Sequence, residues 1–96
     1  MESNDKAHKL AGALEALLFA HGEPLEVKQI VKMLQNVFGE VTEGDTEAAI
    51  HVFRDELARE SRGLTLVSAN DQLQLVTKPA LRAMIDAIVK EELQET

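Results

Sequence analysis

Leu10, Leu14, Leu17 and Leu18 recur at spacings of three and four, which puts them on one face of an α-helix. They predict a helix over residues 5–21, with Asn4 or Asp5 as its cap. Roughly opposite that stripe, Gly12, Ala16 and Phe19 make a second, flat apolar face. Two readings of this face stay open. Phe19 packs on the turn or on a later helix of its own domain, or a partner helix lies over Gly12 and Ala16. The helix is expected to stop at Gly22, which adopts the left-handed conformation without a Cβ penalty. Pro24 cannot continue the helix and stiffens the approach to the next segment, so a tight corner is predicted here.

A second helix is predicted over 26–37, with Val27, Ile30, Val31, Leu34 and Val37 facing inward. Glu26 stands where a small hydroxyl or Asp caps better, but Gln29 can reach back to an exposed backbone amide. Phe38 to Gly44 is a polar connection with two glycines, expected to be the most mobile internal stretch. A third helix is expected from Asp45 or Thr46 to about Ser61, with Ala49, Ile50, Phe53 and Leu57 on its buried edge. After Gly63 the period drops to two: Leu64, Leu66 and Val67, then Leu73, Leu75 and Thr77. Asn70-Asp71 between these runs tolerates left-handed backbone, so a β-hairpin is predicted. Pro79 opens a fourth helix, with a stripe of Leu81, Met84, Ile85, Ile88 and Val89. Glu91, Glu92 and Glu95 oppose the helix dipole at its end, so its last turn is expected to fray or to continue.

This order of elements predicts an α+β winged helix: a three-helix core, a β-hairpin wing and a closing C-terminal helix. The expected organisation is a disordered tail over 1–5, the domain over 6–92, and at 93–96 a frayed tail or the start of a linker to a second domain. The 96 residues suit one small domain, and 45% hydrophobic residues suffice for an aliphatic core with three phenylalanines. No apolar run approaches the roughly 20 residues that span a bilayer, and the N-terminus is acidic rather than basic. With no cysteine there is neither a disulfide nor a thiolate metal site, and a cytoplasmic setting is expected.

Seventeen acidic and ten basic residues give a net charge of −7. A winged helix that reads DNA places its third helix in the major groove. Here that helix is expected to show Glu47, His51, Asp55, Arg59 and Arg62 to solvent, and the wing tip carries Asn70, Asp71 and Gln72. Carboxylates facing phosphates oppose binding, so direct sequence-specific DNA recognition is not expected. His8 and His21 lie 13 residues apart on one helix, no HExxH pattern is present, and no metal or cofactor site is expected. The acidic pairs Asp55-Glu56 and Glu91-Glu92 diverge on a helix, and no serine or threonine has an identifiable base. No catalytic residue is therefore assigned, and an enzyme is not expected.

Several motifs in their order carry a family resemblance: Glu15-Ala16-Leu17-Leu18-Phe19, Gly22-Glu23-Pro24-Leu25, the spaced Ile30, Val31 and Leu34, Arg62-Gly63-Leu64-Thr65-Leu66, and Gln72 to Pro79. Over roughly residues 10–90 the chain resembles the N-terminal domain of the bacterial segregation and condensation protein B family. It departs from the family at the wing turn, where Ala69-Asn70-Asp71 stands in place of a glycine-rich turn, at the Glu26 cap, and in a longer connection from Gly39 to Asp45. The resemblance implies a non-enzymatic adaptor that forms homodimers. With a kleisin subunit (segregation and condensation protein A) it would join the structural maintenance of chromosomes (SMC) ATPase in chromosome condensation and segregation. It also implies a cytoplasmic protein, associated with the nucleoid through the complex. The alternative is a DNA-binding transcriptional regulator built on the same fold. An adaptor needs apolar surface beyond its core. Gly12, Ala16 and Phe19 of the first helix, or Met84, Ile85 and Ile88 of the fourth, are the candidate partner or dimer face, and the sequence does not choose between the two helices.

Overall fold

The computed structural model describes residues 2–95, with side chains from 5 to 91. Met1 and Thr96, the outermost residues of the two expected tails, lie outside the described residues. Along the chain run α1 (Glu2–His21), β1 (Leu25–Glu26), α2 (Val27–Phe38), α3 (Glu43–Leu57), β2 (Leu64–Ala69), β3 (Gln72–Thr77) and α4 (Pro79–Glu95). The strands form one antiparallel sheet in the order β1-β3-β2. This is the expected winged helix.

The core forms where α1 packs along α3 and the hairpin closes over both. Leu10, Leu14 and Leu18 of α1 meet Ile30 and Leu34 of α2, Ala49, Phe53 and Leu57 of α3, and Leu66 and Leu73 of the hairpin. Leu17 and Ile50, expected inside, are partly buried at the margin of this cluster. Polar ties hold the helices in register. Lys6 Nζ lies 3.0 Å from Asp45 Oδ2 and donates to the Glu40 carbonyl at 2.8 Å, joining α1 to the start of α3. Arg54 Nη2 donates to Ser68 Oγ at 2.8 Å, joining α3 to β2.

The corner after α1 forms as its residues require: Gly22 has φ +76°, and its N–H closes on Leu18 O. Glu26 N donates to Gln29 Oε1 at 3.1 Å, so the expected reach-back at the start of α2 is present. The wing turn is two residues long, with φ +52° at Asn70 and +62° at Asp71, the signature of the mirror-image turn that matches hairpin twist.

Six features differ from the sequence reading. α1 begins at Glu2, so Asn4 and Asp5 lie within the helix rather than capping it, and the tail expected over 1–5 is helical from residue 2. A third strand, β1, pairs Leu25 with Leu73 and Glu26 with Gln72; two residues are too short to display a period. Val37 is 75% exposed, although its spacing follows Ile30 and Leu34. The chain reverses at Gly39, and Val41 fills the core beside the end of α2, its carbonyl held by Gln35 Nε2 at 2.8 Å. The connection expected to be mobile is thus pinned by Lys6, Gln35 and Val41. α3 starts at Glu43 because Thr42 caps it: Thr42 Oγ1 accepts from Asp45 N and Asp45 Oδ2 accepts from Thr42 N, both at 3.0 Å. It also ends early, at Leu57, so Arg59 and Arg62 belong to the following turn and not to the helix.

α4 follows the hairpin as expected, and its base is firmly set. Lys78 N donates to Gly63 O at 2.9 Å, and Lys78 Nζ donates to Arg59 O at 2.8 Å. Leu81 lies against Gly63, where an added Cβ would sit 3.6 Å from its Cδ1. Beyond this first turn the stripe faces solvent: Met84, Ile85, Ile88 and Val89 are 37–53% exposed. The long axis of the molecule is 52 Å against 24 and 22 Å across.

Candidate interaction surface

α1 carries two apolar faces because its sequence has two stripes, and the core needs only one. Leu10, Leu14 and Leu18 are at most 3% exposed, whereas Gly12 and Ala16 are open and Phe19 is 77% exposed. The reading in which Phe19 packs within its own domain is therefore overturned. The hairpin extends this surface. Leu66 pairs with Leu75 and Ser68 with Leu73, so Leu64, Leu66, Leu73 and Leu75 share one sheet face. Leu66 and Leu73 are core residues; Leu64 and Leu75, toward the base of the wing, spill past the core toward the back of α1.

Two adjoining clefts result. The first is lined by Gly12, Glu15, Ala16, Phe19, Leu64 and Leu75. The second shares Phe19, Leu64 and Leu75 and continues past Gly22 to Val76, Thr77 and Arg82 at the base of α4. Together they make an apolar groove, with Glu15 and Arg82 at its ends. The structure thus joins Gly12, Ala16 and Phe19 in one surface, and Met84, Ile85 and Ile88 do not line it. Leu64 and Leu75 were missed as surface residues. Their period of two assigned them to a strand, but only their offset from the core-facing pair leaves Leu64 exposed and Leu75 half-buried at the core's edge.

The side of the fold that reads DNA in other winged helices is acidic here. With Arg59 and Arg62 beyond its end, α3 shows Glu47, His51 and Asp55, and His51 Nε2 lies 3.7 Å from Asp55 Oδ2. Glu26, Glu43, Glu47 and Asp71 converge on a cleft between the wing tip and the starts of α2 and α3, with Lys28 the basic residue in its lining. A nucleic-acid backbone would meet net negative charge there.

Asp45 is the one described carboxylate with a resolved shift. The Thr42 backbone N–H first, and then the Lys6 ammonium, hold its carboxyl below the usual value of 3.8. Its role is to cap α3. His8, His21 and His51 are exposed, and among the described residues no three His, Asp or Glu gather as a metal site. No described helix is long and apolar enough to cross a membrane.

Fold and surface together define a winged-helix domain with an acidic third helix and an uncovered apolar groove. The chain belongs to the segregation and condensation complex subunit ScpB family, whose model matches residues 12–96. It is 36% identical over 99 residues to segregation and condensation protein B of Geobacillus kaustophilus, an alignment covering 91% of this chain and 43% of that protein. It is 31% identical over 85 residues to the Carboxydothermus hydrogenoformans protein of the same name, covering 88% of this chain and 43% of the relative. The chain therefore spans less than half the length of these curated relatives. Among solved structures, it resembles a dimer of an ScpB N-terminal domain complexed with an ScpA peptide. The TM-score is 0.72 and the identity 30%, over 81% of this chain and 91% of that one.

Proposed function

We propose that this chain is the N-terminal dimerisation domain of a non-enzymatic adaptor in a bacterial SMC–kleisin complex, acting in the cytoplasm on the nucleoid. Its partners are a second copy, the kleisin subunit ScpA and, through the complex, the SMC ATPase. The observation that carries this reading is the uncovered groove around Phe19, Leu64 and Leu75, apolar surface the domain does not use for its own core. The likeness to a solved ScpB N-terminal dimer complexed with an ScpA peptide supports it. The acidic face of α3 and the wing tip supports protein docking over the transcriptional-regulator alternative.

Sedimentation equilibrium tests the proposal. The expected result is twice the chain mass, a further increase on adding a kleisin peptide, and no salt-dependent retention of duplex DNA in a mobility shift. Phe19→Asp, at an exposed site outside the core, shifts the mass toward monomer with the helical signal intact. A monomeric wild-type chain, or DNA binding with a steep salt slope, refutes the reading.

A further inference from the structure

The groove and the α4 stripe are two uncovered apolar surfaces on one chain, and neither covers the other within that chain. The heading of α4 is fixed at its base by the two Lys78 hydrogen bonds and by Leu81 on Gly63. From there its 17 residues run about 25 Å, packing extensively on no other described element, with Met84, Ile85, Ile88 and Val89 exposed. Folding back into its own groove would break those anchors.

We infer that the dimer forms by reciprocal exchange, with α4 of each copy lying in the α1–hairpin groove of the other. The inference rests on the dimer reading given under Proposed function and adds its geometry. Three observations converge. Gly12 has no atom within 4 Å of a built Cβ, and Ala16 lies one turn on, so a second helix can approach the α1 backbone closely between Phe19 and Leu64. α4 offers the matching element, an apolar stripe on a free-standing helix. A twofold arrangement uses each surface twice and leaves none over. Packing α4 against its own copy instead would leave Phe19 and Leu64 in water. Exchange removes on the order of 1,000 Å² of apolar surface over both copies, and with a polar rim it reaches the size of a specific interface.

The test uses the full chain and its lack of cysteine. Lys90→Cys, on exposed α4, carries a nitroxide label in an unlabelled chain, which is mixed with isotope-labelled wild type so that only intermolecular broadening is seen. The expected result is a dimer mass with amides of Gly12, Ala16 and Leu64 broadened several-fold, while Lys32 and Gln35 of α2 stay sharp. A dimer with broadening confined to α4 means that α4 pairs with itself and overturns the exchange. So does a dimer with no broadening whose groove amides shift on adding a kleisin peptide, which assigns the groove to that peptide. In both cases dimerisation stands. A monomer mass overturns the dimer reading itself.

Discussion

The wing turn offers a sharp test of how the backbone of this domain is set. Asn70 and Asp71 both hold positive φ, +52° and +62°, in a two-residue hairpin turn. An L-residue in this region costs about 1–2 kcal/mol, somewhat less for Asn and Asp. Glycine at position 71 removes that cost but loses about 0.5–1 kcal/mol through the freer unfolded chain. Asp71→Gly is therefore expected to stabilise the fold by about 0.5 kcal/mol. Asp71→Ala keeps the strain, loses the tolerance of Asp for this region, and is expected to cost about 1 kcal/mol. Both variants remove the same charge, so their difference isolates the backbone. At about 4–8 °C per kcal/mol for a domain of this size, Gly and Ala should melt roughly 6–12 °C apart, with wild type between them. The effect reaches beyond the tip, because Asp71 O accepts from Val27 N at 2.9 Å and so helps place the start of α2. Thermal unfolding followed by circular dichroism, at one fixed protein concentration because self-association raises the apparent stability, reads the order directly. An Ala variant as stable as the Gly variant would refute the argument that positive φ limits stability at this turn.

Other expectations follow from the same structure. Thr42→Ala removes the hydroxyl that accepts from Asp45 N and should cost about 1 kcal/mol in urea unfolding. The Asp45 carboxyl is held below its usual value, so its contribution is fully present above the unfolded value of 3.8 and is lost as pH falls through the lowered folded value. Asp45→Asn should accordingly be less stable at neutral pH, and its stability should fall less steeply than wild type in acid; parallel acid titration curves would count against this. Leu14, fully buried in α1, should cost about 3–5 kcal/mol on truncation to Ala, read as a lower urea midpoint. A loss under 1 kcal/mol would mean that the α1–α3 packing is not as described.

Much of this domain was legible because its signals are local. The Leu10, Leu14 and Leu18 stripe, the Gly22 corner, the Gln29 reach-back and the Asn70-Asp71 turn each depend on residues within a few positions of one another. Thr42 and Asp45 carried an equally local capping signal, and the start of α3 was placed too late only because the glycine-containing connection around them reads as loop. The second face of α1, with Gly12, Ala16 and Phe19, was also visible as a pattern.

What covers that face was not visible. Periodicity says which side chains share a side of a helix or strand, and the position of every other element decides whether that side is buried. Val37 keeps the spacing of the core stripe yet lies in water, because Val41 returns to the core after the reversal at Gly39. Leu64 and Leu75 lie on the same sheet face as buried Leu66 and Leu73, yet become groove walls because α1 passes beside them. β1 exists only because β3 is there to pair with it. The amino-acid order determined the four helices, the hairpin, their turns and the acidic cast of the chain. The tertiary packing decided where apolar surface was left over, because burial is a property of neighbours brought together from distant parts of the chain.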